Sequence, residues 1–400
     1  MRLIMDFKDK KLFIFFAQLF LFILLIISIE LFSFLVLVMS QSPSEKAYKS
    51  FPEFISTMPA PFNNVDDFKE VELSYSRKAS RCRGKIIYNS QIGFPKYEKD
   101  NFKCYGEELK NGQRHTVDQP TNFSKRLLIF GGSTVWGSGS SDKNTIPSII
   151  QKKINKGVSQ KIKVINYGFT TVTINQQLNL LKSIKINTND IVIFYDGGND
   201  IFQSMVNENP DGSIIGYNQS NKFNIFIQNM KFFLSNTSNT YKLMSSIKSR
   251  FNKNEFQNCS NEEKGESNAL INNGFEHYVS KIKQANKYVT NNGAEFIHFL
   301  QPSLFYKDNK YSEYEKKIIK NSPLGINECK IYQERVNKGY EYFSKNYNTS
   351  LKNVNSNNLI NILDPVQTKE EYYLDNLHIS SAGNKIIAEE IYKVLLTTLK

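Results

Sequence analysis

Short, continuous apolar runs recur in the second two-thirds of the chain, and the clearest three end at glycines. Residues 127–130 and 191–195 are continuous runs, and 162–167 is a mainly apolar one that contains Lys163 and Asn166. Runs of this length without polar alternation are typical of strands buried on both faces of a parallel sheet. Segments with helical spacing, 146–154 and 174–184, lie between them. The order of strand, helix and strand predicts a parallel sheet with right-handed crossovers.

The same alternation resumes nearer the C-terminus, after a break. A stretch rich in Asn, Ser and Lys, about 205–267, is predicted to be an insertion with some helix of its own. The elements predicted after it are a helix over 269–291, a strand over 296–300, a polar helix through 347, a strand over 359–363 and a closing helix over 382–399.

The N-terminal quarter begins with an almost wholly apolar stretch, residues 12–39, which is long enough to span a bilayer. A core helix of a soluble protein would seldom stay apolar all round for so long. Basic residues precede it, and the next ones follow at a distance, so the positive-inside rule predicts a cytoplasmic segment 1–11 and an exported remainder. No A-x-A cleavage pattern follows, which favours a single-pass signal anchor over a removed signal peptide.

Residues 40–124 are polar, with prolines near the start, and predict a linker and a small, irregular accessory region. The remainder, 125–400, is predicted to be the main domain. The 400 residues include 51 basic and 38 acidic ones, for a net charge of +13. Because the lysines are scattered, we favour anionic surfaces such as lipid head groups or acidic polysaccharides as partners, and no nucleic acid. A solvated basic surface without a partner is the open alternative.

Four cysteines suit an exported protein with two disulfides, for which three pairings exist. They are Cys82, Cys104, Cys259 and Cys329. Nearness in sequence favours Cys82 with Cys104. No cysteine pair has zinc-site spacing, and the histidines do not cluster with them, so we predict no metal and no cofactor.

Four short motifs stand at the strand ends and near the C-terminus. They are Gly131-Gly132-Ser133-Thr134, Asn166-Tyr167-Gly168, Gly197-Gly198-Asn199-Asp200 and Asp375-Asn376-Leu377-His378. Open α/β sheets bind ligands at the carboxyl ends of their strands, so we expect the motifs to meet. Each alone is common in plain loops, and the prediction therefore depends on the four together.

These residue types fit the needs of a serine hydrolase. A serine becomes a nucleophile beside a base, usually a histidine that a carboxylate orients. We predict Ser133 as the nucleophile, His378 as the base and Asp375 as its partner, since one short turn could present both. The predicted oxyanion donors are the backbone N–H groups of Ser133 and Gly168 and the side-chain amide of Asn199.

The motifs resemble those of the SGNH (GDSL-type) hydrolase superfamily, from about residue 126 to the C-terminus apart from the insertion. The family's letters correspond to Ser133, Gly168, Asn199 and His378. The resemblance implies a three-layer, flavodoxin-like α/β fold with a central parallel sheet. One departure is Gly132, where the family has aspartate in Gly-Asp-Ser. Exported polysaccharide-modifying members are similar to the form found here, so the departure weakens a lipase assignment more than catalysis.

Other notable residues have simpler interpretations. Asp200 is predicted to be a structural partner of its turn, Asp196 a loop residue, and His298 a satisfied core histidine. Trp136 either lines the pocket or packs under the serine loop. Export and the anchor favour an esterase that removes acetyl or other short acyl groups from a glycan. An O-acyltransferase, a lipid esterase and a non-catalytic glycan-binding or assembly protein are the alternatives.

Overall fold

In a computed structural model of the chain, most of the predicted elements are present. The described residues are 7–39, 71, 74, 77–206, 238–241, 243–244, 264–304, 311–313, 315–316, 330–351, 359–361, 372–375 and 377–399. They divide into two compact units. The first contains helix Phe7–Met39 together with residues 238–241 and 243–244, and the second contains the rest.

The first unit is built on the apolar N-terminal helix. Its segment Ile14–Phe34 has 21 residues, and its length and apolar composition are sufficient for it to cross a membrane. One charged residue interrupts the segment: Glu30, whose carboxylate accepts hydrogen bonds from the Oγ of Ser238 and, at 2.5 Å, from the N–H of Asn239. Part of the predicted insertion therefore pairs with this helix. Most of the insertion lies outside the described residues.

The second unit contains strands β1 to β10 and eight α-helices with described bounds, together with a short 3₁₀ helix, Asp142–Asn144. The strands are Ile86–Asn89, Phe94–Tyr97, Phe102–Cys104, Glu107–Lys110, Gln113–Arg114, Lys125–Gly131, Ile162–Gly168, Ile191–Asp196, Glu295–Leu300 and Leu359–Asn361. The helices are Arg77–Arg83, Ser133–Trp136, Ile146–Gly157, Ile174–Ser183, Gly198–Val206, Lys264–Asn291, Lys330–Ser350 and Ser381–Thr398.

The centre of the sheet is parallel, as the apolar runs predict. Strands β10, β9, β8, β6 and β7 are neighbours in that order, and each pair is parallel. Alternate residues of β6 enter two different cores: Leu127 and Ile129 one, Leu128 and Phe130 the other. Helices cover both faces, which confirms the three-layer α/β fold and explains why β6 has no polar alternation.

The accessory region differs from its prediction. Its described residues from 77 onward are not irregular, because β3, β4 and β5 are antiparallel strands that continue the central sheet. The junction is an antiparallel pairing of Arg114 in β5 with Asn166 in β7. The sheet is therefore mixed rather than wholly parallel. These strands are only two to four residues long and largely polar, so they lack the apolar runs that revealed the parallel strands.

A disulfide joins Cys82 to Cys104, the pair that nearness in sequence favours. It ties helix Arg77–Arg83 to the end of β3. Cys259 and Cys329 lie outside the described residues. Disulfides persist in oxidising compartments, so this bond agrees with export of the domain.

Candidate active site

The central strands bring three of the four motifs to one edge of the sheet. Gly131, the last residue of β6, is paired with Gly168 of β7 on one side and with Tyr195 of β8 on the other. Each strand leads into a turn at that edge. Ser133 begins a four-residue helix, Ser133–Trp136, between Gly132 at its start and Gly137 in the left-handed conformation at its end.

The C-terminal motif completes a chain of side-chain contacts with this helix. The Nε2 of His378 lies 2.6 Å from the Oγ of Ser133. The Nδ1 of the same ring lies 2.6 Å from the Oδ2 of Asp375. With Nδ1 protonated toward the carboxylate, Nε2 is the ring atom left free to accept a proton from the hydroxyl beside it. His378, the predicted base, is thus within hydrogen-bond distance of both the predicted nucleophile and the predicted orienting acid.

A tight turn holds the acid and the base in this relation. The N–H of Leu374 donates to the carbonyl of His378 at 2.8 Å. The Oδ1 of Asp375 accepts from the N–H groups of Leu377 at 2.8 Å and His378 at 2.7 Å. These backbone bonds fix the orientation of the Asp375 carboxylate and leave its Oδ2 free to bond the imidazole of His378.

The surroundings of Asp375 and His378 shift the pKa of both side chains. Burial raises the pKa of Asp375, but the charge and hydrogen bonds of His378 outweigh burial and bring that pKa below its usual value. Burial likewise lowers the pKa of His378, and the Asp375 carboxylate outweighs it, so the pKa of His378 lies above its usual value. Each partner therefore favours the charged form of the other.

The predicted oxyanion donors differ in how they are engaged. The N–H of Ser133 is the first in its helix, where backbone donors have no intrahelical acceptor. The side-chain amide of Asn199 donates one hydrogen to the carbonyl of Val172 at 2.8 Å. The N–H of Gly168 donates to the Oδ1 of Asn166 at 2.8 Å. Two of the three donors thus already have an acceptor within the site.

Two glycines beside the serine helix leave no room for a side chain. A Cβ at Gly168 would lie 2.3 Å from the backbone nitrogen of Trp136, because β7 and the serine helix meet backbone to backbone. A Cβ at Gly132 would lie 2.8 Å from the Nδ2 of Asn199. A side chain at Gly132 would therefore have to displace the side-chain amide of Asn199 in this chain.

These two contacts predict different effects of adding a methyl group. Gly168→Ala should lower the free energy of unfolding by about 1–3 kcal/mol, since the backbone it meets cannot yield easily. Gly132→Ala meets only the end of a side chain, so it should leave stability nearly unchanged. Moving Asn199 should nevertheless lower kcat, by up to about 10²-fold if that amide is an oxyanion donor. Thermal unfolding and ester hydrolysis of both variants test this, and equal losses of stability would contradict it.

The remaining residues considered in sequence have structural roles. His298 is 0% exposed, with its Nε2 at 3.1 Å from the Oδ1 of Asp196 and its Nδ1 hydrogen bonded to the Tyr347 hydroxyl, as expected of a satisfied core histidine. Asp196 is not in a loop: it is the buried last residue of β8. The prediction of a loop residue was wrong because the buried partners of Asp196, Tyr278 and His298, are distant in sequence.

Asp200 and Trp136 are also buried. The Oδ1 of Asp200 accepts from the N–H of Ile174 at 2.9 Å, in line with a structural partner of the turn. Burial, with the nearby Asp196, raises the pKa of Asp200. Trp136 is 2% exposed and packs against Tyr97 and Phe169, so it lies under the serine loop rather than in an open pocket.

Sequence reasoning missed two residues next to the motifs. Gln301 follows β9 and donates from its Nε2 to the carbonyl of Leu377 at 3.4 Å, linking the fourth strand end to the Asp–His turn. The strand-end argument could have found it. Asn384, in the C-terminal helix, donates to the Oγ of Ser140 and to the carbonyl of Asn144, both at 3.0 Å. No signal in the sequence marked it.

Among the described residues, no group of three or more His, Cys, Asp or Glu side chains could hold a metal ion. The arrangement at the sheet edge is that of an SGNH-type serine hydrolase. Residues 127–391 match the family described as GDSL-like Lipase/Acylhydrolase, and the chain belongs to that family.

Solved structures similar to this chain include GDSL proteins and an acetylxylan esterase. A lipolytic protein of the G-D-S-L family from Veillonella parvula DSM 2008 is 9% identical, with 68% of this chain and 99% of that one covered and a TM-score of 0.34. A catalytic mutant of the acetylxylan esterase Axe2 from Geobacillus stearothermophilus is 11% identical, with 68% and 95% covered and a TM-score of 0.38. No curated protein matches the chain.

Proposed function

We propose that the protein is a membrane-anchored, extracytoplasmic serine esterase that removes O-acetyl or other short acyl groups from a glycan. The observation that carries the proposal is the contact chain from Ser133 through His378 to Asp375, at 2.6 Å for each step, in a chain of the GDSL acylhydrolase family. A binding module would not need all three residues.

In the proposed reaction, the Nε2 of His378 takes the proton of Ser133 while Oγ attacks the ester carbonyl. Asp375 keeps the imidazole in the required tautomer and stabilises its cation. The tetrahedral oxyanion is stabilised by the N–H of Ser133 and the second amide hydrogen of Asn199. Gly168 contributes by sharing its N–H between Asn166 and the oxyanion. Collapse expels the alcohol with the proton from His378, and water then releases the acid by the same route.

A short acyl group is favoured by the packing around the serine helix. The apolar residues next to Ser133, namely Val135, Trp136, Phe169 and Val172, are at most 4% exposed. They pack into the cores rather than form an accessible apolar surface for a long acyl chain. This argues for acetyl-sized groups over lipid esters.

Anchoring and export are supported by the N-terminal half of the chain. Helix Phe7–Met39 contains a segment long enough to cross a membrane, and basic residues precede its apolar part. The Cys82–Cys104 disulfide suits an oxidising compartment. A membrane-attached enzyme on the outer face would meet cell-envelope or extracellular glycans.

The proposal predicts both a preference for short esters and deacetylation of a glycan. With the full-length protein in detergent, p-nitrophenyl acetate should be hydrolysed faster than the palmitate ester by about 10²-fold or more, since the described apolar residues around the serine helix are buried and offer a long acyl chain no surface. A panel of acetylated polysaccharides should lose acetyl groups, with free acetate and glycan mass as the measurements. Faster palmitate cleavage would favour the lipid esterase instead. Acetyl gained by an acceptor glycan would favour the transferase.

A further inference from the structure

The accessory strands carry a buried arginine directly behind the helix that begins with Ser133. The side chain of Arg114 is 0% exposed, and its guanidinium carbon lies 5.2 Å from the ring centroid of Trp136. Trp136 is the last residue of that helix. A guanidinium is attracted to the face of an indole, and the attraction is stronger where water is excluded. Arg114 is thus packed against the element that carries the candidate nucleophile.

The same guanidinium also holds the loop that follows the helix. Its Nε donates to the Oδ1 of Asp142 at 2.6 Å, and its Nη2 donates to the carbonyl of Ser140 at 2.8 Å. Because the guanidinium is planar and its donors are in fixed directions, these two bonds and the stacking on Trp136 constrain one another. The serine helix and its following loop are therefore fixed to a single side chain.

Other contacts from the accessory region reach the same loop. The N–H of Asp142 donates to the carbonyl of Gly106 at 2.8 Å. The N–H of Gly139 donates to the Oγ of Ser74 at 3.2 Å, and that hydroxyl donates to Glu107 at 2.6 Å. Gly106 is exposed, but the side chains of Ser74, Glu107 and Asp142 are buried, so their bonds are screened little by solvent.

The serine helix needs such support. It has only four residues, Ser133–Trp136, and a single turn has too few internal hydrogen bonds to be stable by itself. The 2.6 Å contact between Ser133 and His378 nevertheless requires the helix to stay in place. A misplacement of about 1 Å in an active site can cost about 10²-fold in rate.

We propose that Arg114 is a positioning residue for the nucleophile: through Trp136, the Ser140 carbonyl and Asp142 it fixes the helix that presents Ser133 to His378. The inference rests on the proposed function, because it presupposes that Ser133 is the nucleophile. It also gives the accessory region a role in catalysis, which its sequence does not reveal.

Arg114→Lys tests this in the full-length protein, because lysine keeps the charge and loses the planar fork. We expect kcat for p-nitrophenyl acetate to fall about 10- to 100-fold, with KM within about twofold. The rate at which a fluorophosphonate labels Ser133 should fall in parallel, since labelling also needs an aligned nucleophile. Asp142→Asn keeps an acceptor oxygen but removes the negative charge that strengthens its bond with the Nε of Arg114. It should lower both rates in the same direction and serves if Arg114→Lys does not fold.

Arg126→Lys is the matched control. Arg126 also pairs with a buried aspartate, Asp190, with its Nε at 3.0 Å from the carboxylate, but it lies near the beginning of β6 and Ser133 follows the end of that strand. This variant should lose thermal stability and keep its kcat and labelling rate. If Arg114→Lys and Asp142→Asn also keep them at temperatures where all variants are folded, Arg114 is merely structural and the inference is overturned. A wild-type protein inert to both reagents would instead overturn the proposed function.

Discussion

Ser133→Ala is expected to reduce ester hydrolysis by about 10⁴- to 10⁶-fold, to the level left by binding and oxyanion donors alone. The reason is that the attacking atom is lost while its surroundings remain. The Oγ of Ser133 lies 2.6 Å from the His378 ring, and alanine at this position adds no bulk. The fold and the unfolding temperature should therefore change little. Release of p-nitrophenol from p-nitrophenyl acetate measures the effect.

Ser183→Ala is the matched control for that substitution. Ser183 is exposed at the end of helix Ile174–Ser183, and its hydroxyl bonds only locally, to the carbonyl of Leu180 at 2.7 Å. Its loss should leave hydrolysis unchanged. Turnover by Ser133→Ala at the wild-type rate would refute the proposed nucleophile and, with it, the proposed enzyme.

Asp375→Asn is expected to lower kcat by about 10⁴-fold, because asparagine can hold the imidazole in the wrong tautomer. It should also move the pH profile. In the wild type the neutral form of His378 acts as base, so kcat/KM should rise with pH through a midpoint above 6.5, since Asp375 raises the pKa of His378. Removing the carboxylate charge should move this midpoint to lower pH.

The same pair predicts how stability depends on pH. The His378 pKa is raised in the folded state, so its contribution is complete below the unfolded pKa and is lost as the pH rises through the folded value. The Asp375 pKa is lowered, so its contribution is lost as the pH falls through that lowered value.

Asp190→Asn, which alters a buried carboxylate paired with Arg126, is the control for the kinetic effect of Asp375→Asn. It should not move the kinetic midpoint, and an unmoved midpoint in Asp375→Asn would argue against its orienting role.

The predictable part of this molecule is the part whose signals are local. The centres of β6 and β8 are buried on both faces, so their sequences are apolar runs close to the glycines of the motifs. Strand β7 is mainly apolar and also ends at a glycine. Strand ends of a parallel sheet meet at one edge, so the sequence alone predicts that these three motifs lie close together. The prediction that Ser133 meets His378 and Asp375 rests on the same geometry, together with the short spacing between Asp375 and His378.

What could not be predicted depends on partners distant in sequence. Strand β5 is two residues long and exists because Arg114 pairs with Asn166 of β7, which no local pattern announces. The engagement of the Gly168 N–H by Asn166 is likewise a matter of side-chain direction. No local pattern in the sequence distinguishes Arg114 from the other basic residues. Only the fold reveals that it is buried against Trp136.

The junction between β5 and β7 also has a consequence for how the chain folds as it is made. Synthesis proceeds from the N-terminus, so β3, β4 and β5 emerge before the strand and loop that they must join. Until then Arg114 lacks its partner Asp142, and the edge of β5 that joins β7 is unpaired. The Cys82–Cys104 bond closes a loop with a sequence separation of 22, entirely within this early segment. It can therefore form first and limit the conformations of strands β3, β4 and β5 while the rest of the sheet is completed.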